Sequence, residues 1–168
     1  MCAPGRAQKS SKSSWSIRNV AGAAVMDGKI YVTGGWDGGN RLNAVEVYDP
    51  ATNAWTAAAP MGTTRDRLGV AVLGGKIYAA GGWDGNTCLN TVDAFDPQTN
   101  AWTAVAPMGT ARTLFGLVVM QGKLYAMGGE RNFGDMLDTV EAYDPQQNRW
   151  EAVASMATAR RVVAAVAM

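Results

Sequence analysis

Histidine is absent from all 168 residues. Its absence removes the commonest general base, the commonest metal ligand and the central member of serine and cysteine triads, so no enzyme activity, metal or cofactor is expected. Cysteine is scarce. Cys2 and Cys88 are too few and too far apart for a disulfide framework or a zinc site, which fits a reducing, cytoplasmic setting. An excess of charge of one sign is also lacking: 15 basic side chains stand against 14 acidic ones. That balance leaves no electrostatic footprint for nucleic acid or an anionic membrane surface. No apolar stretch approaches the roughly 20 residues that a membrane helix needs. The first residues carry Arg6, Lys9 and Lys12 without an apolar signal core, and 1–17 read as a flexible leader. Neither nucleic acid nor membrane is expected as a partner.

Glycine, by contrast, is abundant and regularly placed. The segments DGKIYVTGGWDG, GGKIYAAGGWDG and QGKLYAMGGERN align, with Gly34, Gly81 and Gly128 each 47 residues apart. Such self-similarity at a fixed period is the signature of a repeat architecture. Trp55, Trp102 and Trp150 keep the same register, except that the third repeat carries one extra residue between Gly129 and Leu137, which places the insertion in a loop. Four repeats begin on Arg18, Arg65, Arg112 and Arg160, dividing the chain into 18–64, 65–111, 112–159 and 160–168.

Within each repeat, apolar and β-branched runs are cut at short intervals by Gly, Asp-Pro and Asn, which predicts four short strands. In the first repeat they are expected at about 21–26, 29–33, 44–49 and 54–58. Asp27-Gly28, Gly74-Gly75 and Gln121-Gly122 suit two-residue hairpins that need positive φ. Asp49-Pro50, Asp96-Pro97 and Asp144-Pro145 begin turns that exit through Asn53, Asn100 and Asn148, so these aspartates are turn formers rather than catalysts. Small residues open each repeat, as in Gly22-Ala23-Ala24, and suit a crowded centre. Tyr48, Phe95 and Tyr143 lie seven residues before Trp55, Trp102 and Trp150, so each aromatic pair can stack across a hairpin and fill space between neighbouring sheets.

The double glycine after a GK-I/L-Y strand, the aromatic-Asp-Pro turn and the spaced Trp, Met and Arg together resemble the kelch repeat, over about residues 18–168. Trp36-Asp37 and Trp83-Asp84 follow the double glycine, and no Gly-His accompanies them, so they are not WD-repeat signatures. The resemblance implies an all-β fold: a partial β-propeller of three four-stranded antiparallel blades, with 161–168 expected to start a fourth and supply its innermost strand. Since such rings usually have six or seven blades, the expectation is a piece of a longer protein, or else two copies pairing as a homodimer to complete a ring.

Loops that differ between repeats are the candidate partner-binding sites, because blade packing does not dictate them. After the double glycines these are Trp36, Asp37, Asn40 and Arg41; Trp83, Asp84, Asn86 and Cys88; and Glu130, Arg131, Asn132, Phe133 and Asp135. Exposed Trp, Phe and Arg are residue types that anchor protein interfaces. The segment TTRDRLGV, residues 63–70, resembles the inter-blade segment that lends basic residues to the substrate pocket of kelch-like ubiquitin-ligase adaptors. Arg67 takes the position of a pocket arginine, whereas Val20, Leu114 and Val162 take the equivalent positions without a charge; Arg161 is the further candidate on that rim. The four repeated arginines and Glu46, Asp93 and Glu141 are expected to form architectural charge pairs. The function expected from the resemblance is a non-catalytic module binding a protein or peptide, either as a ubiquitin-ligase substrate adaptor or as an actin-associated scaffold. The alternatives are a kelch-type enzyme of isomerase or specifier kind, resting on carboxylates such as Asp66 or Glu130, and a truncated piece without function.

Overall fold

The computed structural model describes residues 20–131 and 134–163. Twelve five-residue strands form three four-stranded antiparallel sheets, each built from consecutive strands. The first blade comprises β1 (Gly22–Met26), β2 (Lys29–Thr33), β3 (Val45–Asp49) and β4 (Ala54–Ala58). The second comprises β5 (Gly69–Leu73), β6 (Lys76–Ala80), β7 (Val92–Asp96) and β8 (Ala101–Val105), and the third β9 (Gly116–Met120), β10 (Lys123–Met127), β11 (Val140–Asp144) and β12 (Arg149–Val153). The first-repeat strands match expectation to one residue at their starts. The expected innermost strand of a fourth blade falls largely on 164–168, outside the described residues.

Local chemistry accounts for these hairpins. Asp27 and Gly28 have φ of 51° and 72°, and the equivalent pairs at 74–75 and 121–122 are also positive, the backbone of a tight hairpin whose twist matches its strands. Asp49 Oδ1 accepts from the Ala51 amide at 2.9 Å, Asp96 and Asp144 do the same two residues on, and Lys29, Lys76 and Lys123 pair with the other carboxylate oxygen. Asn53, Asn100 and Asn148 take left-handed φ near 50° at the exits.

Blades meet along their innermost strands, β1 against β5 and β5 against β9, and the core lies between sheets. Met26, Tyr31, Val45 and Val47 of the first blade meet Ile77 and Phe95 of the second; Leu73, Tyr78, Val92 and Ala94 meet Phe115, Leu117, Leu124 and Tyr143 of the third. Glycine is required at this approach: a Cβ on Gly69 would come within 2.8 Å of Leu117 Cβ and of the Phe115 ring. The tilted ring pairs Phe95–Trp102 and Tyr143–Trp150, with centroids 5.2 Å apart, extend the contact. Each tryptophan then donates its indole N–H to the preceding blade, Trp102 to Ala59 O and Trp150 to Ala106 O, both at 2.9 Å, while Asn100 and Asn148 accept the amides of those same alanines.

Candidate functional site

The face carrying the inter-blade segments is organised by two sets of repeated interactions. Arg65 is fully buried and donates to the carbonyls of Gly81 and Thr91, to the Thr91 hydroxyl and, at 2.7 Å, to Asp93. Arg112 repeats this set on Gly128, Thr139 and Glu141, whose carboxylate also accepts the amides of Gly109 and Thr110. A guanidinium can serve so many acceptors because its donors are fixed in a planar fork. These arginines brace each inter-blade segment against the third strand of the blade that follows, and so are unavailable to a partner. Arg18 lies outside the described residues.

Two residues beyond each of the four repeated arginine positions, the backbone turns left-handed at Val20, Arg67, Leu114 and Val162, with φ of 50°, 56°, 52° and 55°. This region is costly for side chains branched at Cβ. It is held by a chain of backbone hydrogen bonds from one repeat to the next: Arg67 N–H to Val20 O at 2.9 Å, Leu114 to Arg67 at 3.0 Å, and Val162 to Leu114 at 2.7 Å. The four residues, with Leu68 and Phe115, line an open depression of about 240 Å³. Among the described residues, Arg67 is its one charged lining residue.

The double-glycine loops rise beside this depression. Asp66 and Trp83 exchange backbone hydrogen bonds at 3.0 and 2.9 Å, as do Thr113 and Glu130 at 2.9 Å, which fixes each loop to the inter-blade segment next to it. Asp66 is 3% exposed, with Arg41 Nε 3.6 Å from Oδ1 and Arg67 Nε 4.0 Å from Oδ2. Burial pushes its carboxyl above the usual aspartate range, against the pull of the two guanidiniums. At the third blade the sign pattern reverses: Glu130, buried, occupies the slot held by Trp36 and Trp83, and accepts from Arg161 at 2.9 Å. Burial, with the Glu130 charge adding to it, raises the Cys88 thiol to about 11, so at neutral pH it is a thiol and not a nucleophile.

The loop residues expected to bind a partner divide accordingly. Trp36 is exposed and Trp83 half-buried. Asp37 and Asp84 turn one oxygen back onto their own loops, accepting two backbone amides each at 2.7–2.9 Å, and these bonds hold both carboxyls below the usual range, Asn40 and Thr87 contributing most. Arg131 forms an exposed pair with Asp135, and Phe133 lies outside the described residues. Arg41, Arg67, Trp83 and Asp66 come together at one inter-blade junction, and Arg161 with Glu130 at another.

A family model described as the kelch motif matches residues 18–62, 64–109 and 111–157. The chain belongs to the kelch-repeat family. Among curated relatives, an F-box/kelch-repeat protein of Arabidopsis thaliana is 48% identical over 48 residues, 29% of this chain and 13% of that protein. Kelch-like protein 6 of Homo sapiens is 57% identical over 37 residues, 22% of this chain and 6% of that one. The solved structure titled "Structure of YjhT" superposes with a TM-score of 0.75 at 21% identity, over 84% of this chain and 53% of that chain, and this likeness is one of fold. The chain thus spans about half the length of that structure and a small part of its curated relatives. In general terms, its kelch repeats and its kelch-like and F-box/kelch relatives support a protein-interaction module.

Sequence reasoning placed Arg67 at a pocket position and singled out the loop tryptophans in this kelch chain, but not the apolar residues that line the depression. Leu68 and Phe115 carry no sequence signal of their own as lining residues, because they also read as ordinary apolar positions beside the first strands. The shared left-handed backbone at 20, 67, 114 and 162 likewise leaves no mark, since Val, Arg and Leu are not residues that ordinarily adopt it.

Proposed function

We propose that this kelch segment recognises a protein or peptide on the face formed by its inter-blade segments and double-glycine loops. The observation that supports the reading is the convergence of Trp83, Arg41, Asp66 and Arg67 at one blade junction, beside an open depression. Aromatic and arginine side chains around a concave centre are the usual anchors of such interfaces. In this reading Trp36, Trp83 and Phe133 supply apolar contact, and Arg41, Arg67, Arg131 and Arg161 supply charge-assisted hydrogen bonds. Asp37 and Asp84 hold their loops in shape with one oxygen and offer the other. The kelch-like and F-box/kelch relatives favour substrate recognition for a ubiquitin ligase as the setting, with catalysis supplied elsewhere.

The test is affinity capture from cells with the 168-residue chain and with a Trp36→Ala, Trp83→Ala, Arg67→Glu variant, followed by titration of each purified partner. The expected result is at least one partner bound directly by the wild type and weakened about 100-fold or more by the triple variant, the scale set by truncation of several interface anchors. Partners whose affinity is unchanged by the three substitutions would remove this face as the binding site.

A further inference from the structure

We propose that the two end blades carry the two halves of one junction, and that a second copy of the chain fills both, head to tail, to close a six-blade ring. The two junctions inside the chain follow one rule. Met26 and Leu73 are buried where the next blade covers them, Tyr31 meets Phe95 with ring centroids 6.2 Å apart, and Tyr78 meets Tyr143 at 5.8 Å. Ala59 and Ala106 each exchange hydrogen bonds with the tryptophan and asparagine of the blade that follows. The third blade presents the first half of another such junction: Met120 and Val153 are exposed, Tyr125 is half-buried and Ala154 exposed, at the positions of Met26, Ala58, Tyr31 and Ala59. The first blade presents the second half. Val25, Ile30 and Trp55 are exposed, whereas Val72, Ile77 and Trp102, at the same positions, pack against the first blade; Tyr48 is half-buried where Phe95 and Tyr143 are enclosed. Met26 shares a cluster with Ile77, and Leu73 with Leu124, so a docked second copy sets its Ile30 against Met120, its Tyr48 against Tyr125 and its Trp55 indole N–H toward the Ala154 carbonyl. Because the halves differ, the contact is heterologous and either closes a ring or grows without end. Closure fits the curvature, since this chain overlies 53% of the superposed solved structure and two copies span a ring of about that length. Residues 160–168 share repeat positions with 18–26. The second copy's first blade takes their place, its Val20 N–H meeting Leu114 O as Val162 does in the single chain, and brings a whole apolar sheet face in place of one short segment.

Light scattering of the purified 168-residue chain over a dilution series should show a mass that rises from 17.7 kDa to a plateau at about twice that value. Ile30→Asp and Met120→Lys lie on opposite ends of the array at exposed positions, so circular dichroism should show each dilute variant folded. Each alone should raise the midpoint concentration of pairing about 100-fold or more, because closing the ring would desolvate two unpaired charges. Combined in one chain they should recover most of that loss, since the new carboxylate of each copy then faces the new ammonium of the other. Trp55→Phe should raise the midpoint about tenfold, two hydrogen bonds per ring being lost, while leaving the dilute single chain unchanged. A mass of 17.7 kDa at every concentration would overturn the proposal. So would a dimer that Ile30→Asp abolishes, Met120→Lys leaves intact and the combination does not rescue, the pattern of two first blades meeting face to face. A mass that climbs without a plateau would overturn closure of the ring. Partner capture through Trp36 and Trp83 is read in a separate assay, so the failure of this pairing and the failure of that binding face are distinguishable.

Discussion

Among the residues, the repeated arginines show how one sequence position can have opposite consequences. Arg112 is completely buried with Glu141 beside it, and Arg160, at the same place in the repeat, is exposed. Removing one member of a buried pair leaves the other charge uncompensated, so Arg112→Ala should cost about 3–5 kcal/mol in urea unfolding, whereas Arg160→Ala should stay within about 0.5 kcal/mol. Equal costs for the two would mean that the brace does not stabilise the blade junction. Asp66 provides a test by pH. Its carboxyl is raised in the fold by burial, so the folded state binds a proton more readily than the unfolded chain does. The contribution to stability is therefore present below the ordinary aspartate value of 3.8 and is lost as pH rises through the raised one. Thermal melting of wild type against Asp66→Asn, from pH 3.5 upward, should show the variant gaining relative stability as pH rises; a constant difference would refute the desolvation argument.

Turning to elements, the outer hairpin of each blade grips the blade before it through an asparagine and a tryptophan. Trp102→Phe keeps the ring against Phe95 but loses the bond to Ala59 O, and should destabilise by about 1 kcal/mol. Trp55 holds the equivalent place in the first blade, is 39% exposed, and meets Tyr48 at a tilt with no blade before it among the described residues. Trp55→Phe should change stability by less than about 0.5 kcal/mol. Chemical denaturation of the two variants side by side checks the difference. The tight hairpins and Asp-Pro turns were legible in advance because their chemistry is local: a residue able to take positive φ, a proline and a capping carboxylate act within four residues. The grip on the preceding blade was not, because it joins residues more than 40 apart.

For the whole molecule, the outer faces of the end blades carry apolar side chains that interior blades cover. Val25 is 67% exposed, Ile30 39% and Met120 52%, while Ile77, at the position equivalent to Ile30, is 1% exposed against the first blade. Apolar faces of this kind drive association when nothing covers them. The purified 168-residue chain should therefore show a mass above 17.7 kDa that rises with concentration in light scattering, and Val25→Asp with Ile30→Lys should lower it. A concentration-independent monomer would show that these faces tolerate water.

The 47-residue period, strand positions, turns and membership of the kelch family were determined by sequence alone, because glycine, proline, asparagine and the aromatics act through the backbone of their own repeat. The tertiary structure decided which of the equivalent residues are buried or presented. Arg65 and Arg67 differ by two positions, yet one is fully buried among four acceptors and the other lines an open depression. The same juxtaposition seats Glu130 in a tryptophan's slot with Arg161 from the following inter-blade segment upon it. Such assignments depend on how neighbouring blades approach, a distance set by side chains from different repeats, and no single repeat encodes it.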